Sequence, residues 1–88
     1  MSMNLHIKAT QKAILASGKE TEIVKRFDLY QTPTEITYEA IEGNTLEVYY
    51  NWVIETWGTE ESVVHLKTLK EWIKTMENEG YVIEFYVV

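Results

Sequence analysis

From Leu5 onward the apolar side chains fall on every second residue: Leu5, Ile7, Ala9, Ala13 and Leu15, with His6, Lys8, Thr10 and Lys12 between them. Period-two alternation marks a strand with one buried face. Such a strand needs a paired neighbour for its backbone and an apolar layer for its face, so the first fifteen residues already demand a sheet covered on one side. Ser17-Gly18-Lys19 supplies a turn. A second strand follows over 21–30, with Ile23, Phe27 and Leu29 on one face and Val24, Arg26, Asp28 and Tyr30 on the other. Lys25 falls on the apolar face, which calls for a bulge or for an edge position where its stem can snorkel.

The covering layer announces itself by helix starts. Thr32-Pro33-Thr34-Glu35 has the form of a capping box, with threonine as N-cap and proline at the first helical position. That helix turns Ile36, Ala40 and Ile41 inward and stops at Gly43. Asn44-Thr45-Leu46-Glu47 repeats the logic with an asparagine cap, and Leu46, Tyr49, Tyr50, Val53 and Trp57 recur at helical spacing up to Gly58, which favours two helices over one continuous one. Thr59-Glu60-Glu61 reads as loop, 62–66 as a short strand, and Thr68-Leu69-Lys70-Glu71 as a third capping box opening a helix with Leu69, Trp72, Ile73 and Met76 inward. Gly80 ends it, and 81–88 is rich in β-branched and aromatic residues, as a last strand should be. The expected architecture is α+β in the order β-β-α-α-β-α-β, a four-stranded, mainly antiparallel sheet with helices on one face. The 62–66 run and the last strand would form a right-handed parallel crossover.

A chain of 88 residues holds one domain, 1–88, and its 45% hydrophobic content with three Trp, six Tyr and two Phe excludes a disordered or low-complexity protein. No stretch reaches the roughly 18–20 apolar residues that span a bilayer, and 1–8 lacks the basic-then-apolar layout of a signal peptide. The expectation is a soluble protein of the cytoplasm with no membrane partner.

The inventory argues against catalysis. There is no cysteine, a single aspartate (Asp28) and two isolated histidines, His6 and His65. Ser2, Ser17 and Ser62 lie at the terminus, in the hairpin turn and at the expected strand start, with no nucleophile-elbow pattern around any of them. Glu60-Glu61 and the Glu77, Glu79 pair read as solvated carboxylates. No metal-ligand spacing and no phosphate-cradling glycine loop is present, so no catalytic residue, metal or cofactor is expected.

Charge is where the sequence is most informative. The formal net charge is −6, yet residues 1–31 hold Lys8, Lys12, Lys19, Lys25 and Arg26 against Glu20, Glu22 and Asp28. From Phe27 to His65 there is no lysine or arginine, while Asp28, Glu35, Glu39, Glu42, Glu47, Glu55, Glu60 and Glu61 are all acidic. Acids near helix starts suit the dipole, which accounts for Glu35 and Glu47 but not for Glu39, Glu42 and Glu55. An acidic helical surface of Glu35, Glu39, Glu42, Glu55, Glu60 and Glu61, with Tyr38, Tyr49, Tyr50 and Trp52 as aromatic anchors, suits a basic protein surface. A second surface is the open sheet face carrying His6, Lys8, Lys12, Val24, Arg26, Tyr30, Val82, Tyr86 and Val88. It suits a homodimer first and stacked single-stranded RNA second.

Phe27-Asp28-Leu29-Tyr30-Gln31-Thr32-Pro33-Thr34-Glu35-Ile36-Thr37, together with Leu69-Lys70-Glu71-Trp72-Ile73 and Glu79-Gly80-Tyr81, resembles small early proteins of T4-like bacteriophages. The chain is shorter than that pattern between Trp57 and Val63. The resemblance implies a protein acting in the host cytoplasm, and some proteins of this kind neutralise host or defence factors, among them toxin nucleases and CRISPR effectors. It transfers no functional residue. The expectation is thus a non-enzymatic inhibitor that binds a bacterial target through its acidic surface. The alternatives are an RNA-binding or RNA-dependent inhibitor and a small homo-oligomeric structural protein.

Overall fold

The computed structural model describes residues 4–88. Ser2 and part of the 1–8 leader reading lie outside them. The alternating segment forms β1 (Leu5–Ile14) and pairs antiparallel with β2 (Glu20–Phe27) across the Gly18 turn. Three helices follow, α1 (Thr34–Glu42), α2 (Glu47–Thr56) and α3 (Glu60–Asn78), and β3 (Val82–Val87) returns antiparallel to the other side of β1. The result is α+β, with a three-stranded sheet in the order β2-β1-β3 among the described residues.

The odd-numbered residues of β1 face the helices. Leu5 and Ile7 are packed in one cluster with Ala40 of α1, Leu46, Tyr49 and Val53 at α2, and Leu66 and Leu69 of α3. Burying a side chain of this size contributes about 1.5–3 kcal/mol. Beyond Ala9 the hairpin runs past the helices, and Ile14, Leu15 and Ile23 near its tip are exposed. The β1–β2 register runs unbroken through the Ala9–Lys25 pair, so there is no bulge at Lys25. Lys25 sits on an edge strand, and its Nζ lies 5.3 Å from the Tyr81 ring centroid. Snorkelling is the solution adopted.

The expected fourth strand over 62–66 is helix, and with it the parallel crossover disappears. Helix α3 begins at Glu60 and runs through Thr68 without interruption. Ser62, Leu66, Leu69 and Met76 are buried along one helical stripe, whereas the β-branched pair Val63-Val64 faces solvent. The cap is Thr59, whose hydroxyl accepts from the Ser62 N–H at 3.3 Å. Thr59-Glu60-Glu61 is therefore a helix start and not a loop. Thr68, expected to cap, lies mid-helix and donates to the Val64 carbonyl at 2.8 Å. A local capping pattern loses here to a continuous apolar face.

The other two expected caps also shift. Pro33 occupies the N-cap of α1, without a side-chain capping bond. Thr32 is buried instead, accepting from the Leu5 N–H and bonded to the Thr37 hydroxyl, which donates to the Pro33 carbonyl. This relay ties the first residue of β1 to the start of α1. At the far end of α1, Gly43 remains right-handed and Asn44 takes the left-handed position, φ 50°. The Asn44 N–H bonds to the Ile41 carbonyl and the Thr45 N–H to the Ala40 carbonyl, a Schellman closure. Asn44 thus ends one helix, and the Thr45 hydroxyl accepts from the Glu47 N–H at the start of the next. The two-helix reading holds, with each boundary displaced by a residue or so.

Candidate interaction surface

Two of the acidic helical residues, Glu39 and Glu55, meet at Trp52. Helices α1 and α2 leave a groove of about 200 Å³ between them in which Glu39 and Glu55 are brought together, lined also by Ile36, Val48, Asn51 and Trp52. On the other side of Trp52 a larger cleft of about 700 Å³ opens where the 30–34 segment, the end of α2 and the first turn of α3 meet. Tyr30, Trp57 and Glu61 line it, with Trp52 as the shared wall. No lysine or arginine lines either groove. Glu35, Glu42 and Glu60 are exposed but lie outside both grooves.

Helix dipoles sort these carboxylates. Glu35, Glu60 and Glu61 are in first turns, where a negative charge is stabilising. Glu42 is the last residue of α1 and Glu55 the penultimate residue of α2, where a carboxylate opposes the dipole by about 0.3–1 kcal/mol. Neither last turn contains a basic residue. Helix stability does not explain these two residues.

The aromatic anchors separate differently from the expectation. Tyr49 is fully buried in the core, so it is no contact residue. Its hydroxyl accepts from the Tyr30 N–H at 2.9 Å and lies 2.8 Å from His65 Nε2. Burial pushes the Tyr49 hydroxyl up to about 12, partly opposed by the Tyr30 N–H bond, and burial lowers His65 from its ordinary value. The phenol therefore keeps its proton, and the Tyr49 hydroxyl and His65 Nε2 share a hydrogen bond. The Tyr30 ring stacks on His65, 4.2 Å between centroids and 11° between planes. His65 is thus a packed residue of α3 and not part of a strand over 62–66. Tyr50 is half-buried beneath Lys70, whose Nζ is 4.8 Å from its ring centroid, and so faces away from the acidic groove. Tyr38 is exposed.

Trp57, expected inward, is 54% exposed at the C-cap of α2, and Gly58 after it takes a left-handed φ of 55°. The Tyr30 and Trp57 rings meet edge-on at 5.9 Å. The stop at Gly58 was legible; the missed signal was Thr59 directly after it, a cap that leaves Trp57 at the junction of two helices.

The open face of the sheet brings together His6, Lys8, Lys12, Arg26 and Tyr86. His6 stacks on Tyr86 at 5.4 Å, and Lys8 Nζ lies 5.1 Å from the same ring. Val24 and Val82 share this face, and exposed Val88 follows β3. Tyr30 does not belong to it, since β2 ends at Phe27 and the chain turns Tyr30 into the helical layer. The register also places three carboxylates on this face, Glu20, Glu22 and Glu84. Lys12 stands opposite Glu22, and Lys8 reaches Glu84 at 3.9 Å, the one ion pair among the described residues.

Ser62 is buried and its hydroxyl lies 3.1 Å from that of Thr59. Among the described residues no group of three histidine, aspartate or glutamate side chains is placed to hold a metal ion, and no helix is long and apolar enough to cross a membrane. Compared with family models, curated proteins and solved structures, the chain matches none.

Proposed function

We propose that this chain is a non-enzymatic protein-binding module whose acidic, aromatic helical surface docks on a basic surface of a bacterial target. The observation that carries the reading is the convergence of Glu39 and Glu55 on Trp52, in grooves that no basic side chain lines. Glu42 and Glu55 oppose their helix dipoles, which fits a charge kept for binding and not for stability. Trp52 offers an amphipathic anchor of the kind that dominates interface energetics. Taken with the resemblance to small early phage proteins, the target class is a host or defence factor with a basic nucleic-acid-binding or catalytic surface, met in the host cytoplasm. The test is capture from bacterial lysate with and without nuclease. A partner retained after nuclease treatment supports the reading, and no partner in either condition argues against it.

A second reading rests on the stacked His6–Tyr86 pair with Lys8 and Arg26 beside it, a base-stacking platform for single-stranded RNA. It predicts RNA affinity that falls steeply with salt. Glu20, Glu22 and Glu84 on the same face weaken it, because they offset Lys8, Lys12 and Arg26 one for one. A stable homodimer without a host partner would instead favour a structural role for this face.

A further inference from the structure

The cleft between Trp52 and Trp57 has a chemistry narrower than "acidic surface". Tyr30, Trp52 and Trp57 supply its aromatic walls, and Glu61 supplies a carboxylate. Tyr30 is held in place from behind, by its N–H bond to the Tyr49 hydroxyl and its stack on His65, so this wall is preformed. Two helix starts, of α1 and α3, also border the cleft, and each carries about half a positive charge. Those would favour an anion if they stood alone. They do not: Glu61 lines the cleft itself, and Glu35 and Glu60, outside it, add two further negative charges to the same two first turns. The balance favours a cation, and no lysine or arginine of the chain lines the cleft to compete for it.

We propose that this cleft is a recognition site for an arginine side chain of the protein partner, its guanidinium packed against the ring faces and paired with Glu61. Planar aromatic walls suit a planar, weakly hydrated cation better than a compact ammonium. The proposal rests on the protein-binding reading above and names the residue type that this part of the surface selects.

The test uses the full chain and a capped Gly-Gly-Arg-Gly-Gly peptide, with the same peptide carrying citrulline as the uncharged isostere. The readout is the indole N–H resonances of Trp52, Trp57 and Trp72. Trp72 packs beside Phe27 at 5.5 Å, away from the cleft, and serves as internal control. The arginine peptide should shift Trp52 and Trp57 and leave Trp72 unmoved, and the citrulline peptide should shift none of them. Glu61→Gln should weaken binding about two- to fivefold, and Trp57→Ala, at an exposed position, should abolish it with the fold intact. Equal shifts from both peptides, or no shift at Trp57, would overturn the proposal. If the arginine peptide fails while lysate capture still depends on Glu39 and Glu55, the cleft assignment is wrong and the surface reading stands. If the peptide binds as described while capture ignores those glutamates, the cleft assignment stands and the wider surface reading is wrong.

Discussion

On the open face of the sheet each lysine has a carboxylate in its own row: Lys12 stands opposite Glu22, and Lys8 lies beside Glu84. On the helical side Glu39 and Glu55 share a groove with Trp52 and no basic residue. The two surfaces therefore differ less in the sign of their charge than in whether that charge is cancelled. An exposed pair such as Lys8–Glu84 is worth about 0–1 kcal/mol and exerts little field beyond a Debye length. Uncancelled carboxylates project a field that steers a basic partner toward them. The comparison also divides the aromatic residues. Tyr49 stabilises the fold from inside, whereas Trp57 and part of Trp52 are presented to solvent.

The division inside the aromatic set is the easiest to break. Tyr49→Ala should cost about 3–5 kcal/mol in urea unfolding, because it empties a fully buried site. Tyr49→Phe should cost about 1–3 kcal/mol, since the Tyr30 N–H and His65 lose their shared partner. Trp57→Ala should leave stability within about 0.5 kcal/mol, and a loss as large as that of Tyr49→Phe would show that Trp57 is a structural residue.

The division between the surfaces makes a prediction of opposite sign. Glu42→Lys and Glu55→Lys should each raise stability by about 0.3–1 kcal/mol, because each places a cation at a helix C-terminus. On the sheet, Lys8→Gln should change stability by no more than about 0.5 kcal/mol, as an exposed pair implies. A fall in stability on reversing the helical glutamates would mean that they are held by contacts within the chain.

Acid should act through the ring cluster that backs the cleft. His65 is lowered below its unfolded value near 6.5 by burial, so between its folded pKa and that value the unfolded chain binds more protons. Stability from His65 is thus fully present above pH 6.5 and declines as the pH falls through the window below it. Urea unfolding from pH 7.5 down to pH 5 should show this decline, and His65→Asn should remove its share of it. An unchanged slope in the variant would show that His65 does not contribute.

Much of the fold was legible because the deciding signals were periodic. The alternation in β1, the turn at Gly18, the break near Gly43 and the final strand all survive in the structure. The error at 62–66 came from weighing local signals above the longer period. Val63-Val64 looks like strand and Thr68-Leu69-Lys70-Glu71 looks like a start, yet Ser62, Leu66, Leu69 and Met76 keep helical spacing through both. Sequence showed that the middle of the chain is acidic, and it could not show which carboxylates meet. Glu39 and Glu55 come together because α1 and α2 pack side by side, and Tyr30, beyond the end of β2, is held in the helical layer by the Tyr49 hydroxyl and the His65 ring.

The central claim is that the helical carboxylates are retained for a partner and not for the fold. Its most direct test is the triple variant Glu39→Lys, Glu42→Lys, Glu55→Lys, assayed side by side for thermal stability and for capture of protein from nuclease-treated bacterial lysate. A variant that melts at or above the wild-type temperature and captures nothing is the predicted result. A variant that folds equally well and captures the same partner to the same extent would contradict the claim.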